Sequence, residues 1–239
     1  MKRTYSKVLL AVVLVFILSG CLYPQSKLEK NQQPNESQLE LAQNAVNQYK
    51  EEKQGLVPIK TKANDTPIFQ KYLIDFTALK ESNTITEIPG NAYENGGIYQ
   101  YTLIHPEDNP QVKLIDLRIT EEIRKVNVQL DIFRSKHTYP PYGEEVSDGI
   151  FTVDYEKLNF DSHPVVKSPY SKENLPIVMD VNGQLYVDYR IDLANALKEY
   201  EHEYKEGDDI RYILAENTPF VPAYSLPYTI KDSEPVFFN

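Results

Sequence analysis

The chain has 239 residues, 35 acidic against 25 basic side chains, a formal net charge of −10, 41% hydrophobic residues and a single cysteine. That balance argues against nucleic acid or anionic headgroups as partners of the folded part. One cysteine excludes a disulfide framework and a thiolate metal site, while the apolar content is that of a globular chain rather than a disordered one.

Lys2, Arg3 and Lys7 precede an apolar run from Val8 to Leu18, which ends in Leu18-Ser19-Gly20-Cys21. A cationic start, a short apolar core and small residues before a cysteine predict a lipoprotein signal peptide over 1–20, cut between Gly20 and Cys21. Cys21 is then the lipidation site, and acyl chains there would hold the protein on the extracytoplasmic face of the cell membrane. Removal of the segment takes three of the 25 basic residues and none of the acidic ones, so the remainder carries 22 against 35, a net charge near −13.

Residues 21–54 read as a tether. Ser37-x-x-Glu40 is a capping box, and Leu39, Ala42, Val46 and Tyr49 then recur at helical spacing, predicting an amphipathic helix over 38–52, either a solvated stalk or docked on the domain. A globular extracytoplasmic domain is expected over 55–239, as one unit or as two packed halves near 55–138 and 139–239. Leu56 to Thr61 reads as a short strand, Asp65-Thr66-Pro67 as a turn or helix start, and Glu94-Asn95-Gly96-Gly97 as a tight turn. Ile98 to Ile104 and Val112 to Ile119 read as paired strands.

Thr120 to Lys136 admits two readings. Val126, Val128, Leu130 and Ile132 alternate as in a strand, whereas Ile119, Ile123, Val126, Leu130 and Phe133 form a helical stripe. Length, Thr120 as a cap and the acidic pair Glu121-Glu122 favour the helix. Phe151 to Tyr155 reads as a strand and Pro164 to Pro176 as a long loop. Ile177 to Asp180 and Leu185 to Ile191 form a hairpin across Asn182-Gly183. Asp192 is expected to cap a helix from Leu193 to about Lys205. The Pro-rich aromatic tail reads as extended edges. The fold class is therefore α+β: antiparallel sheets of short strands with two to three helices. The segments Leu114–Ile119 and Tyr186–Ile191 repeat Asp-x-Arg at an offset of 72 residues, which suggests two related β-β-α halves.

Candidate chemistry is sparse. Asp116, Arg118, Asp188 and Arg190 are expected on strand faces, where alternation puts each pair on one side, either lining a ligand cleft or forming solvated ion pairs. His105, His137, His163 and His202 lack metal spacing, and Asp180-x-Asn182 lacks a full calcium-ligand run, so no metal and no cofactor is expected. No nucleophile elbow or phosphate loop nominates a catalytic residue. Tyr139–Tyr142 and Phe220–Tyr228 are read as aromatic surfaces for glycan or peptide, or as lids on the core.

The segments Asn91-Ala92-Tyr93-Glu94-Asn95-Gly96-Gly97-Ile98-Tyr99, Val112 to Arg118, Tyr139-Pro140-Pro141 and Val187-Asp188-Tyr189-Arg190 together resemble a family of uncharacterised lipoproteins from Bacillus-like Gram-positive bacteria. Some members carry a label as transporter-associated binding proteins. The expected function is that of a membrane-anchored lipoprotein which binds an envelope protein or a wall component. The alternative is a solute-binding lipoprotein of an ABC-type transporter, whose small-molecule site would use Arg118 and Arg190. An enzyme with an unrecognised motif is a third reading.

Overall fold

A computed structural model describes residues 35–238. The expected signal peptide, Gly20, Cys21 and the first part of the expected tether, residues 21–34, lie outside the described residues. The fold is α+β, with three helices of ten residues or more among the six described and antiparallel sheets of short strands.

Helix α1 spans Asn35–Glu52 and is docked. Ala42, Ala45 and Val46 are buried against Leu79 and Phe76 of helix α3 (Phe76–Glu81) and against strand β2 (Gln111–Asp116). The Gln43 amide reinforces the dock: its Oε1 accepts the Val112 N–H at 2.8 Å while its Nε2 donates to the Pro110 carbonyl at 2.9 Å. Gln43 therefore treats the start of β2 as a partner strand would, and takes groups that an edge would leave open.

The strand expected over Leu56–Thr61 is a correction: it is reduced to one bridge, Ile59 with Ile74. Pro58 has no N–H for a ladder, and its carbonyl accepts the N–H of Asp75, the residue that caps α3. Between them lies the one-turn helix α2, Ile68–Lys71, directly after Pro67. Strand β1, Tyr99–Ile104, pairs with β2 from Tyr99↔Asp116 to Ile104↔Gln111. The Asn95–Gly97 turn before β1 is tight for a steric reason: a Cβ on Gly97 would lie 2.0 Å from the Asn91 carbonyl.

β2 stops at Asp116, not Ile119, because helix α4 (Leu117–Arg134) starts there, with Asp116 rather than Thr120 at its cap. Burial decides between the two patterns in this segment. Ile119, Ile123, Val126 and Leu130 are buried, whereas Val128 and Ile132, which a strand would have turned inward with Val126, are 46% and 50% exposed.

Strands β3 (Tyr142–Ser147), β4 (Ile150–Val153), β7 (Ile177–Asp180) and β8 (Leu185–Val187) form an antiparallel sheet in the order β3-β4-β7-β8. β3 has no expectation in the sequence because it is a polar, twice-irregular edge with little apolar alternation. The long loop closes on itself through two short strands, β5 (Val166–Lys167) and β6 (Asn174–Leu175). The β7–β8 turn has Gly183 at φ 77°, and Asp180 accepts the N–H groups of Asn182 and Gln184. A turn device therefore explains Asp180-x-Asn182.

Helix α5 is Arg190–Glu199, displaced from the expected Leu193–Lys205. It starts early because Asp188 takes the Arg190 N–H. It ends early where Glu199, Glu201 and Glu203 would crowd the negative end of the helix dipole. Helix α6 (Tyr212–Asn217) and the hairpin β9 (Tyr228–Lys231) with β10 (Glu234–Phe237) complete the chain.

Two large apolar clusters divide at Asp116. One draws on residues 42–114 with Phe220, and the other runs from Ile119 to Phe237. The tail crosses between them: Leu114 donates to Pro219 at 2.8 Å and accepts from Val221 at 3.0 Å. Phe220, Val221, Ala223 and Tyr228 are buried, so this aromatic tail is core, while Tyr139 stays exposed.

Gly97→Ala is expected to destabilise the protein by about 1–3 kcal/mol through the clash with Asn91. Urea denaturation checks it against Gly183→Ala, where the strain is of backbone φ rather than of contact with another backbone.

Candidate functional site

The two Asp-x-Arg pairs do not lie on strand faces, which corrects the expectation from alternation. Each Asp closes a strand segment and each Arg opens a helix, so the backbone leaves its two-residue period between them. Asp116 Oδ1 accepts the Arg118 backbone N–H at 3.0 Å and Nε at 2.8 Å, and Oδ2 takes the second guanidinium nitrogen. Asp188 repeats this with Arg190 at 3.0 Å, 3.0 Å and 2.6 Å.

A third copy, Asp209-Ile210-Arg211, precedes α6 with distances of 3.1 Å, 2.9 Å and 2.6 Å. Sequence reasoning missed this copy, although a search for Asp-x-Arg alone finds it. In all three the carboxylate both satisfies an orphan N–H of the first helical turn and forks the arginine two residues on. The bonds to Asp116 and Asp188 hold the Arg118 and Arg190 guanidinium groups further above their ordinary pKa, so both stay charged.

The free face of each arginine differs. Arg118 is 62% exposed on its side chain. Arg190 packs over the Phe237 ring at 4.8 Å, and Arg211 packs over Phe69 at 5.2 Å while reaching the Ser225 carbonyl and hydroxyl. Asp116, Arg118, Asp188 and Arg190 line none of the cavities described here.

The histidines are also accounted for locally. His105 Nε2 lies 2.9 Å from Glu216 Oε1 and its ring stacks on Tyr212. His137 stacks on Phe133, and His163 tilts against Tyr155. Among the described residues no group of three or more His, Cys, Asp or Glu could hold a metal ion.

The large concavity is a groove of about 770 Å³ between α1 and the loop Thr84–Gly90. Its α1 wall presents Ser37, Gln38, Leu41, Asn44 and Gln48 over a floor that includes Ala45, and Ile85, Ile88 and Asn95 close the other side. The spacing of 37, 41, 44 and 48 is one helical stripe, so the dock that buries Ala42 and Val46 necessarily turns this polar stripe toward the loop. Leu41 is exposed within it. Amide side chains donate and accept, so the wall matches the alternating N–H and C=O groups of a peptide or the amides of a wall polymer. No sequence signal marks the groove, because it is made by packing two segments that lie about forty residues apart.

Asp116→Ala and Asp188→Ala are each expected to lower unfolding free energy by about 1–2 kcal/mol through loss of the helix-start bond. Arg118→Ala, with its exposed guanidinium, should cost less than about 1 kcal/mol. Urea midpoints of the three variants test this, and equal losses for Asp116→Ala and Arg118→Ala would assign the junction to the ion pair instead.

No curated protein and no solved structure matches the chain. Residues 35–116, which contain every residue lining the groove and end where β2 turns into α4, match the family described as the YphF family N-terminal domain.

Proposed function

We propose that this protein is a lipid-anchored extracytoplasmic lipoprotein that acts by binding an envelope protein or wall component in the groove between α1 and the Thr84–Gly90 loop. The groove carries the reading. Its volume of about 770 Å³ lies within the range of ~300–1,000 Å³ typical of ligand sites, and its lining is amide-rich with apolar contacts at Leu41, Ile85 and Ile88. No helix of the described residues is long and apolar enough to cross a membrane; on this reading acyl chains on Cys21 attach the protein. Sixteen Cα-to-Cα steps lead from Cys21 to Ser37 at the groove. At ~3.3–3.6 Å per residue they reach no further than about 58 Å, which keeps the groove close to the bilayer and selects partners at the membrane surface. The resemblance to Gram-positive lipoproteins supports the same placement.

The solute-receptor alternative needs Arg118 and Arg190 in one cleft. Each is instead engaged by its own aspartate at a separate helix start.

The anchor is tested with labelled palmitate: incorporation is expected in the native chain and lost in Cys21→Ala. The groove is tested in cells with a photocrosslinking residue in place of Leu41, and with Val181, an exposed site outside the groove, as control. A discrete adduct from position 41 alone supports the reading. Identical products from both positions, or none from position 41, sink it.

A further inference from the structure

A second cavity, separate from the groove, has the chemistry of a site for a small organic cation. It measures about 380 Å³ and is lined by one face of α5 together with the Tyr170-Ser171 loop and α6. Asp192, Asn195, Ala196 and Glu199 follow at i, i+3, i+4 and i+7, so all four stand on one helix face. Asp192 and Glu199 are the first and last of the four, their Cα atoms about 10.5 Å apart along the axis at 1.5 Å per residue.

Asp192 is the unusual group. It is 2% exposed, yet no Lys, Arg or His among the described residues pairs with it, and none lines the cavity. Its charge is supported by neutral donors alone: Ser168 Oγ donates to both oxygens at 2.9 Å, Ser171 Oγ donates to Oδ1 at 2.6 Å, and the Ser171 backbone N–H adds a further bond. Burial raises its pKa, with the serine bonds opposing. Tyr170, which lines the same cavity, buries a hydroxyl with no partner among the described residues. A buried anion without a countercharge is costly, and a cation entering the cavity would relieve that cost.

The acceptor pattern narrows the ligand. Oδ1 takes two hydroxyls and Oδ2 shares one of them, so the carboxylate has no two free oxygens side by side, which suits a single-point ammonium rather than the two-point fork of a guanidinium. A calcium ion would want six or more oxygens. Ala196, Leu214 and the Tyr170 ring supply apolar wall between the two carboxylates. We propose that this cavity binds a short linear diamine, one ammonium on Asp192 and the other on Glu199, with the methylene chain along Ala196 and Leu214.

Isothermal titration of the full chain in detergent with putrescine, n-butylamine and 1,4-butanediol tests this. Putrescine is expected to bind, n-butylamine at least tenfold more weakly, and the uncharged diol not at all. Glu199 is exposed, so Glu199→Gln should leave folding intact and lower putrescine affinity to the level of n-butylamine, without changing n-butylamine itself. Asp192→Asn should abolish both; if that variant fails to fold, Glu199→Gln decides. No binding of putrescine at millimolar concentration, equal affinity for the two amines, or a putrescine affinity unchanged in Glu199→Gln would each overturn the proposal.

Discussion

The bond from an aspartate oxygen to the N–H two residues on is the contact from which this architecture is built. At Asp116 it ends β2 and starts α4, and so separates the two apolar clusters. At Asp188 it starts α5, and at Asp209 it leads into α6. A strand presents side chains with period two and a helix with period 3.6, so the point of change decides which residues of the following segment face inward. Starting α4 at Leu117 puts Ile119, Ile123, Val126 and Leu130 on one line. The arginine two residues later folds back on the same carboxylate, which shields the junction and leaves the helix face clear for packing.

The halves so divided are not independent. β2 pairs with β1 on one edge, and on the other Leu114 exchanges bonds with Pro219 and Val221 of the tail. Gln43 covers its start. The segment that matches the YphF N-terminal domain therefore borrows part of its sheet and part of its core, Phe220, from the far end of the chain. The tail is rich in proline and aromatics for this reason: it must pass along a sheet edge while contributing bulk to the core.

Helix docking also produces the two concave surfaces. α1 turns its small apolar face inward and its amide stripe to the loop, making the groove. α5 buries Leu193 and Ala196 and carries Asp192 and Glu199 along the second cavity. The acidic balance of the chain, −10 overall, is consistent with a surface that repels anions and receives cations or neutral chains. The groove and the cavity differ in chemistry, because one is lined by amides and the other by carboxylates.

Local signals in the sequence determined the α+β class, the β1–β2 and β7–β8 hairpins, the α1 helix and the buried stripe of α4, because periodicity and turn chemistry act over a few residues. The same signals marked Cys21 as the candidate anchor. They misplaced the starts of α4 and α5, since Thr120 and Asp192 are good caps on propensity alone while Asp116 and Asp188 win by capturing both an N–H and an arginine. They passed over β3, whose polar edge is held by its neighbour β4, and α6, six residues long. Only the tertiary structure decided that α1 docks, that the tail is core, that Asp192 is buried without a countercharge, and that residues near 41 and 85 form one groove. Each of these depends on contacts between residues distant in the chain, and no local pattern encodes them.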